Sequence, residues 1–128
     1  MDNHTATRHG FALQTTNHGA MEIILNDEWT ENRWECDPEV LSVNKLHHLV
    51  VTVDGGPKII SFVVDGILCD GDKFRQFGWG RYSRNMRDIN GSEILSIGKN
   101  FKGKIEQVRI YNRSLLTSEA IGNYKAGL

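Results

Sequence analysis

The sequence predicts an all-β domain, an antiparallel β-sandwich that ends in a short C-terminal helical turn. Three observations predict it. Apolar residues recur at every second position in short runs, Asp-Gly and related turn signals separate those runs at close intervals, and the single helical pattern lies at the end of the chain.

The first strand is FALQT, where Phe11, Leu13 and Thr15 share a face; in AMEIILND, Met21, Ile23 and Leu25 do the same. Asn17-His18-Gly19 turns the chain between them, so residues 11 to 26 form a hairpin. WTENRWEC continues with Trp34 on one face and Glu31, Arg33 and Glu35 on the other, until Pro38 ends the strand. The densest signal is HHLVVTVDGGPKIISFVVDGILCDGD. Leu49, Val51 and Val53 face one way in its first run, and Ile60, Phe62 and Val64 in its second. Both faces of the second run are apolar, which predicts a central strand covered on both sides. Residues 70 to 92, rich in Gly, Arg and aromatics, have no usable period and read as a long connection. Strand character returns in ILSIG and in KIEQVRIYNRSL, where Val108 and Ile110 oppose Ile105, Gln107, Arg109 and Tyr111. Thr117 is the expected N-cap of the final helical turn, Glu119 favours its first turn, Ala120, Ile121 and Tyr124 form its apolar stripe, and Gly127 stops it.

Composition sets the class. With 39% apolar and 24% charged residues over 128 positions, the chain is one ordinary globular domain with a real core. A net charge of −1 and the lack of a dense Lys/Arg run argue against nucleic acid as partner. The apolar runs are too short to cross a bilayer, and the opening MDNHTATRHG lacks the pattern of a signal peptide. Cys36 and Cys69 are the only cysteines, and they read as two separate thiols or one disulfide; spacing alone does not decide.

Taken together, Leu46-His47-His48-Leu49-Val50-Val51-Thr52-Val53-Asp54-Gly55, Phe62-Val63-Val64-Asp65-Gly66, Leu95-Ser96-Ile97-Gly98, and Gly103 to Arg113 followed by Thr117-Ser118-Glu119-Ala120-Ile121 resemble the laminin-G-like group of the concanavalin A-like lectin/glucanase superfamily. The resemblance covers the last two-thirds of the chain. It implies a jelly-roll sandwich, a secreted or cell-surface setting, and a lectin-like binding role. Leu46 stands where the group has Trp, as a core swap, and the group's opening strands, one of which pairs with the strand at KIEQVRIYNR, have no counterpart here.

Several clusters could carry chemistry. Glu35-Cys36-Asp37-Pro38-Glu39 spells the E-x-D-x-E of retaining glucanases, whose two carboxyls stand about 5 Å apart on one strand face. Pro38 inside it and the acidic neighbours Asp27, Glu28 and Glu31 favour a solvated turn, so Glu35 and Glu39 as a hydrolase pair are the alternative. His47 and His48 are adjacent on a strand and point to opposite faces, so they do not converge on one metal ion; one is expected packed, the other exposed. Asp65, Asp70 and Asp72 could hold Ca²⁺, although Asp-Gly is equally a hairpin turn; no cofactor is otherwise expected. The best ligand candidates are Arg75, Phe77, Trp79, Arg81 and Tyr82, a loop where rings stack on sugar faces and cations reach hydroxyls; the same residues could instead pin the loop to the sandwich. The expected function is a non-catalytic module recognising a glycan or a protein surface. Because KIEQVRIYNR reads as a central strand without its neighbour, a homodimer or higher oligomer burying more than roughly 1,000 Å² is expected, and the competing arrangement is a monomer whose residues 1 to 20 fold back over the edge.

Overall fold

A computed structural model of the chain describes residues 1–69 and 79–128, with Trp79 described in its backbone only. The first sheet contains β1 (Gly10–Thr15), β2 (Met21–Asn26) and β3 (Glu31–Glu35) in that order, all antiparallel. The second holds β4 (Leu49–Asp54), β5 (Ile59–Val64), β6 (Ile67–Leu68) and β7 (Trp79–Arg81). In it β5 is central, with β4 along one edge and β6 and β7 sharing the other. Two antiparallel sheets and one short C-terminal helix, α1 (Thr117–Lys125), give the predicted all-β sandwich.

The period-two pattern decides what meets between the sheets. Met21, Ile23 and Leu25 of β2 face Ile60, Phe62 and Val64 of β5 in one buried cluster, with Phe11, Leu13, Val51 and Val53 packed around it. Ala20, Cys36, Cys69, Tyr82 and Met86 complete that cluster. The two sheets come close at Gly80 of β7, where any Cβ would run into the Trp34 indole of β3. Val63, on the outer face of β5, is also buried, as its apolar neighbours predicted, and α1 packs against this strand. On the outer face of the first sheet Ala12 and Ile24 are buried too, flanked by the polar ladder Gln14, Glu22 and Arg33.

Residues 1–3 run beside β1. Met1 exchanges hydrogen bonds with Leu13, its ammonium donating at 2.8 Å and its carbonyl accepting at 2.7 Å, and the Asn3 amide donates to the Phe11 carbonyl. Asp2 bridges onward to Ser96 through a reciprocal pair of 2.9 and 2.8 Å bonds. Of the strand expected at ILSIG, only this bridge at Ser96 forms.

The expected strand at KIEQVRIYNRSL does not form either. Ile105, Val108, Ile110 and Tyr111 all lie exposed, and residues 104–111 carry no strand geometry. Their alternation is real, but a strand is completed by a neighbouring ladder, and β-propensity without one does not hold the backbone extended. Leu46, expected in the core, is 61% exposed. Helix α1 starts one residue differently from its predicted cap. Leu116 occupies the N-cap position, and Glu119 reaches back to accept its N–H at 2.8 Å while taking both Arg113 guanidinium nitrogens at 2.8 Å. That grip holds the Glu119 carboxyl well below its ordinary 4.5, at about 2, the Arg113 hydrogen bonds being the main cause. Tyr124 of α1 leans on the β5–β6 turn. Its ring fills the space where Gly66 lacks a Cβ, at φ +75°, and stacks at a tilt on His48, 5.7 Å between centroids.

Candidate ligand-binding face

The β4–β5 hairpin builds one end of this face. Gly56 N–H donates to the Asp54 carboxylate at 3.0 Å and Lys58 adopts φ +60°, folding the turn tightly. β7 then pairs Arg81 with Ile59 and delivers Tyr82 beneath the turn. Tyr82 N–H donates to the Lys58 carbonyl at 3.0 Å, its hydroxyl donates to the Asp54 carbonyl at 3.3 Å, and the Lys58 ammonium lies 5.4 Å from its ring centre. Burial, followed by the nearby Asp54 charge, pushes the phenol up from its ordinary value. Tyr82 is therefore a buried pin.

Asp27 builds the other end. Its carboxylate, itself nearly buried, accepts N–H bonds from Thr30 at 2.6 Å and Trp29 at 3.1 Å, which shape the β2–β3 turn, and from Arg87 at 2.7 Å. The Arg87 amide bond is the main reason its pKa falls below the ordinary value. Ser83 N–H bonding to Asn32 Oδ1, and His9 Nε2 at 2.9 Å from the Asp88 carbonyl, tie residues 83–88 across the sheet end. The Asp27 turn thrusts Trp29 into solvent, 79% exposed, with the Arg87 guanidinium 5.5 Å from its ring centre.

Two hollows adjoin these elements. One of about 220 Å³ is lined by Leu25, Val53, Lys58, Tyr82, Met86, Arg87, Asp88 and Ile89. The other, about 420 Å³, is bounded by Gly56, Pro57, Lys58, Arg81 and Arg84. Lys58 belongs to both, and Arg87 of the first lies beside the exposed Trp29 indole. Of the predicted site residues, Arg81 is exposed and bounds the second hollow, while Tyr82 is buried and lines the first. Trp79 contributes backbone to β7, and Arg75 and Phe77 lie outside the described residues. Sequence reasoning passed over Trp29, Lys58, Arg84 and Arg87. The Asp27-x-x-Thr30 spacing, which suits a side-chain-capped turn, was the available sign that Trp29 leaves the sheet.

The remaining clusters have simpler geometry. Glu35 closes β3 and Glu39 lies in the turn at Pro38 with φ +62°, so the two residues do not lie along one strand. Of the Asp65, Asp70 and Asp72 trio only Asp65 is described, and no group of three or more His, Cys, Asp or Glu suited to a metal occurs among the described residues. Asp65 accepts His48 N–H at one oxygen and His47 Nδ1 at the other, both at 2.9 Å, with Lys45 Nζ at 3.5 Å. Burial works against its charge, but these partners outweigh burial and hold the pKa low. His47 Nε2 in turn accepts the Ser42 N–H at 3.0 Å, with the Ser42 hydroxyl further off at 3.4 Å. This Ser-His-Asp chain is a clasp for residues 42–47, because the imidazole lone pair a nucleophile would need is occupied by a backbone amide. His47 and His48 lie just before β4 rather than on a strand, and both are at least half-buried, where one was expected exposed.

Residues 1–121 match the family Laminin_G_3, described as the Concanavalin A-like lectin/glucanases superfamily. Two antiparallel sheets closed over one core are the architecture of that superfamily, and the chain belongs to this family. Comparison with curated proteins and with solved structures gave no match. No helix among the described residues is long and apolar enough to cross a membrane.

Proposed function

We propose that this domain is a non-catalytic carbohydrate-binding module that takes an acidic glycan across the face between Trp29 and the β4–β5 hairpin. One observation carries the proposal: the Trp29 indole, 79% exposed, has the Arg87 guanidinium beside it, and the hollow that Arg87 lines shares Lys58 with a second one bounded by Arg81 and Arg84. An exposed indole offers a flat platform to the C–H face of a sugar. The 420 Å³ hollow falls in the range of small-ligand sites, and its cations favour carboxylate or sulfate groups. Membership of a family named for lectins and glucanases supports a sugar as ligand and, with it, an extracellular setting. The turn geometry of Glu35 and Glu39 supports binding over hydrolysis. A glycan array probed with the whole chain and with Trp29→Ala tests the proposal. Acidic glycans bound by the parent and lost in the variant are expected; an array blank for the parent overturns it.

A further inference from the structure

We propose that Cys36 and Cys69 are a matched redox pair that closes to an intramolecular disulfide, stapling the first sheet to the second. Cys36 directly follows β3 and Cys69 directly follows β6, so the two come from different sheets. They nevertheless share one buried cluster, 1% and 6% exposed, with their thiols within hydrogen-bonding reach of each other. Each backbone is fixed independently of the other. Cys36 N–H donates to the Met21 carbonyl at 2.9 Å, and Cys69 N–H donates to the Phe62 carbonyl at 3.0 Å. Separate strands thus bring the two thiols side by side, the first requirement of a disulfide.

The chemistry divides unequally between them. Cys36 Sγ accepts the Met21 N–H at 3.1 Å and lies 3.5 Å from the Asp37 carbonyl. Cys69 is pushed up from its ordinary value, first by its hydrogen bond with Cys36 and then by burial. Cys36 is therefore the attacking sulfur. Its thiolate displaces one thiolate from a small-molecule disulfide such as oxidised glutathione, forming a mixed disulfide. Cys69 then gives its proton to solvent and attacks the Cys36 sulfur, releasing the second thiol. Two protein thiols and one small disulfide become one protein disulfide and two small thiols, so the protein loses two electrons and two protons. Burial confines the exchange to folding or to local opening of this sandwich edge.

The test uses the whole chain, folded in a glutathione redox buffer, then unfolded in denaturant and alkylated without reductant. The expected product is unalkylated, lighter than the reduced chain by two hydrogens, and yields one peptide joining Cys36 to Cys69. Its melting midpoint should fall by about 10 °C on reduction. Two alkylated cysteines, glutathione on either one, or cross-links between two chains would overturn the proposal. Cys69→Ala, similar in volume, should remove the dependence of the midpoint on redox buffer; should that variant not fold, the mass and peptide measurements on the parent decide alone.

Discussion

Gly80→Ala tests the closure of the sandwich. Gly80 is buried in β7 and paired with Ile60, while Trp34 is paired with Ile23 in the facing sheet. A Cβ at position 80 meets three atoms of the indole at once, closer than non-bonded atoms allow. Neither partner yields easily, since moving Gly80 breaks the ladder that holds β7 on β5, and moving Trp34 disturbs the β2–β3 register. Added methyl groups in cores that cannot relax cost about 1–3 kcal/mol, and this site belongs at the upper end. In a domain of this size that lowers the melting midpoint by about 5–10 °C. Urea unfolding followed by tryptophan fluorescence measures it, with Trp34→Phe and the double variant closing a cycle. The smaller ring should recover part of the loss, so the double variant should be more stable than the sum of the singles. A Gly80→Ala stability within about 0.5 kcal/mol of the parent, or strict additivity, would refute the sheet contact.

Other outcomes follow from the same geometry. Glu119 has a folded-state pKa depressed to about 2 against an ordinary 4.5, so its contribution is complete above pH 4.5 and is lost as pH falls toward 2. NMR shifts of Tyr124 and His48 should report loosening of α1 across that window, and Arg113→Ala should abolish the transition. Asp65→Asn removes the charge that holds His47 and Lys45, at a cost of about 1.5–3 kcal/mol, and amide exchange should accelerate in residues 42–48 while β2 stays protected; unchanged exchange there would contradict the clasp. We propose, finally, that the exposed apolar run at Ile105, Val108 and Ile110 finds its strand partner in a second copy of the chain. Sedimentation equilibrium should then show a dimer at micromolar concentration and a monomer for Val108→Pro; a monomeric parent contradicts it.

Much of this fold was legible because its strands alternate cleanly. The hairpin of β1 and β2, the end of β3 at Glu35 ahead of Pro38, and β5 as a strand covered on both sides all follow from side-chain period and turn chemistry. What was not legible depends on partners far away in sequence. KIEQVRIYNR has a better strand pattern than Trp79-Gly80-Arg81, yet the latter is the strand, because Ile59–Ser61 lies beside it. The candidate face was only half visible for the same reason. Arg81 was readable as a surface cation, but whether Tyr82 pinned or Trp29 projected depended on the Asp54 carbonyl and on Asp27, whose carboxylate joins two segments of the chain. Contact between Cys36 and Cys69 is likewise a product of sheet packing, which spacing does not encode.

The most direct test of the account is a calorimetric titration of an acidic oligosaccharide, chosen as the strongest array hit, into the parent chain, Trp29→Ala and the double variant Arg81→Ala/Arg84→Ala. All three substitutions are at exposed positions and should leave the melting midpoint within about 2 °C of the parent. Binding should be lost without Trp29 and weakened at least about tenfold without the two arginines, with a salt dependence that flattens in the double variant. Equal affinity for all three proteins would place the ligand elsewhere and contradict the assignment of this face.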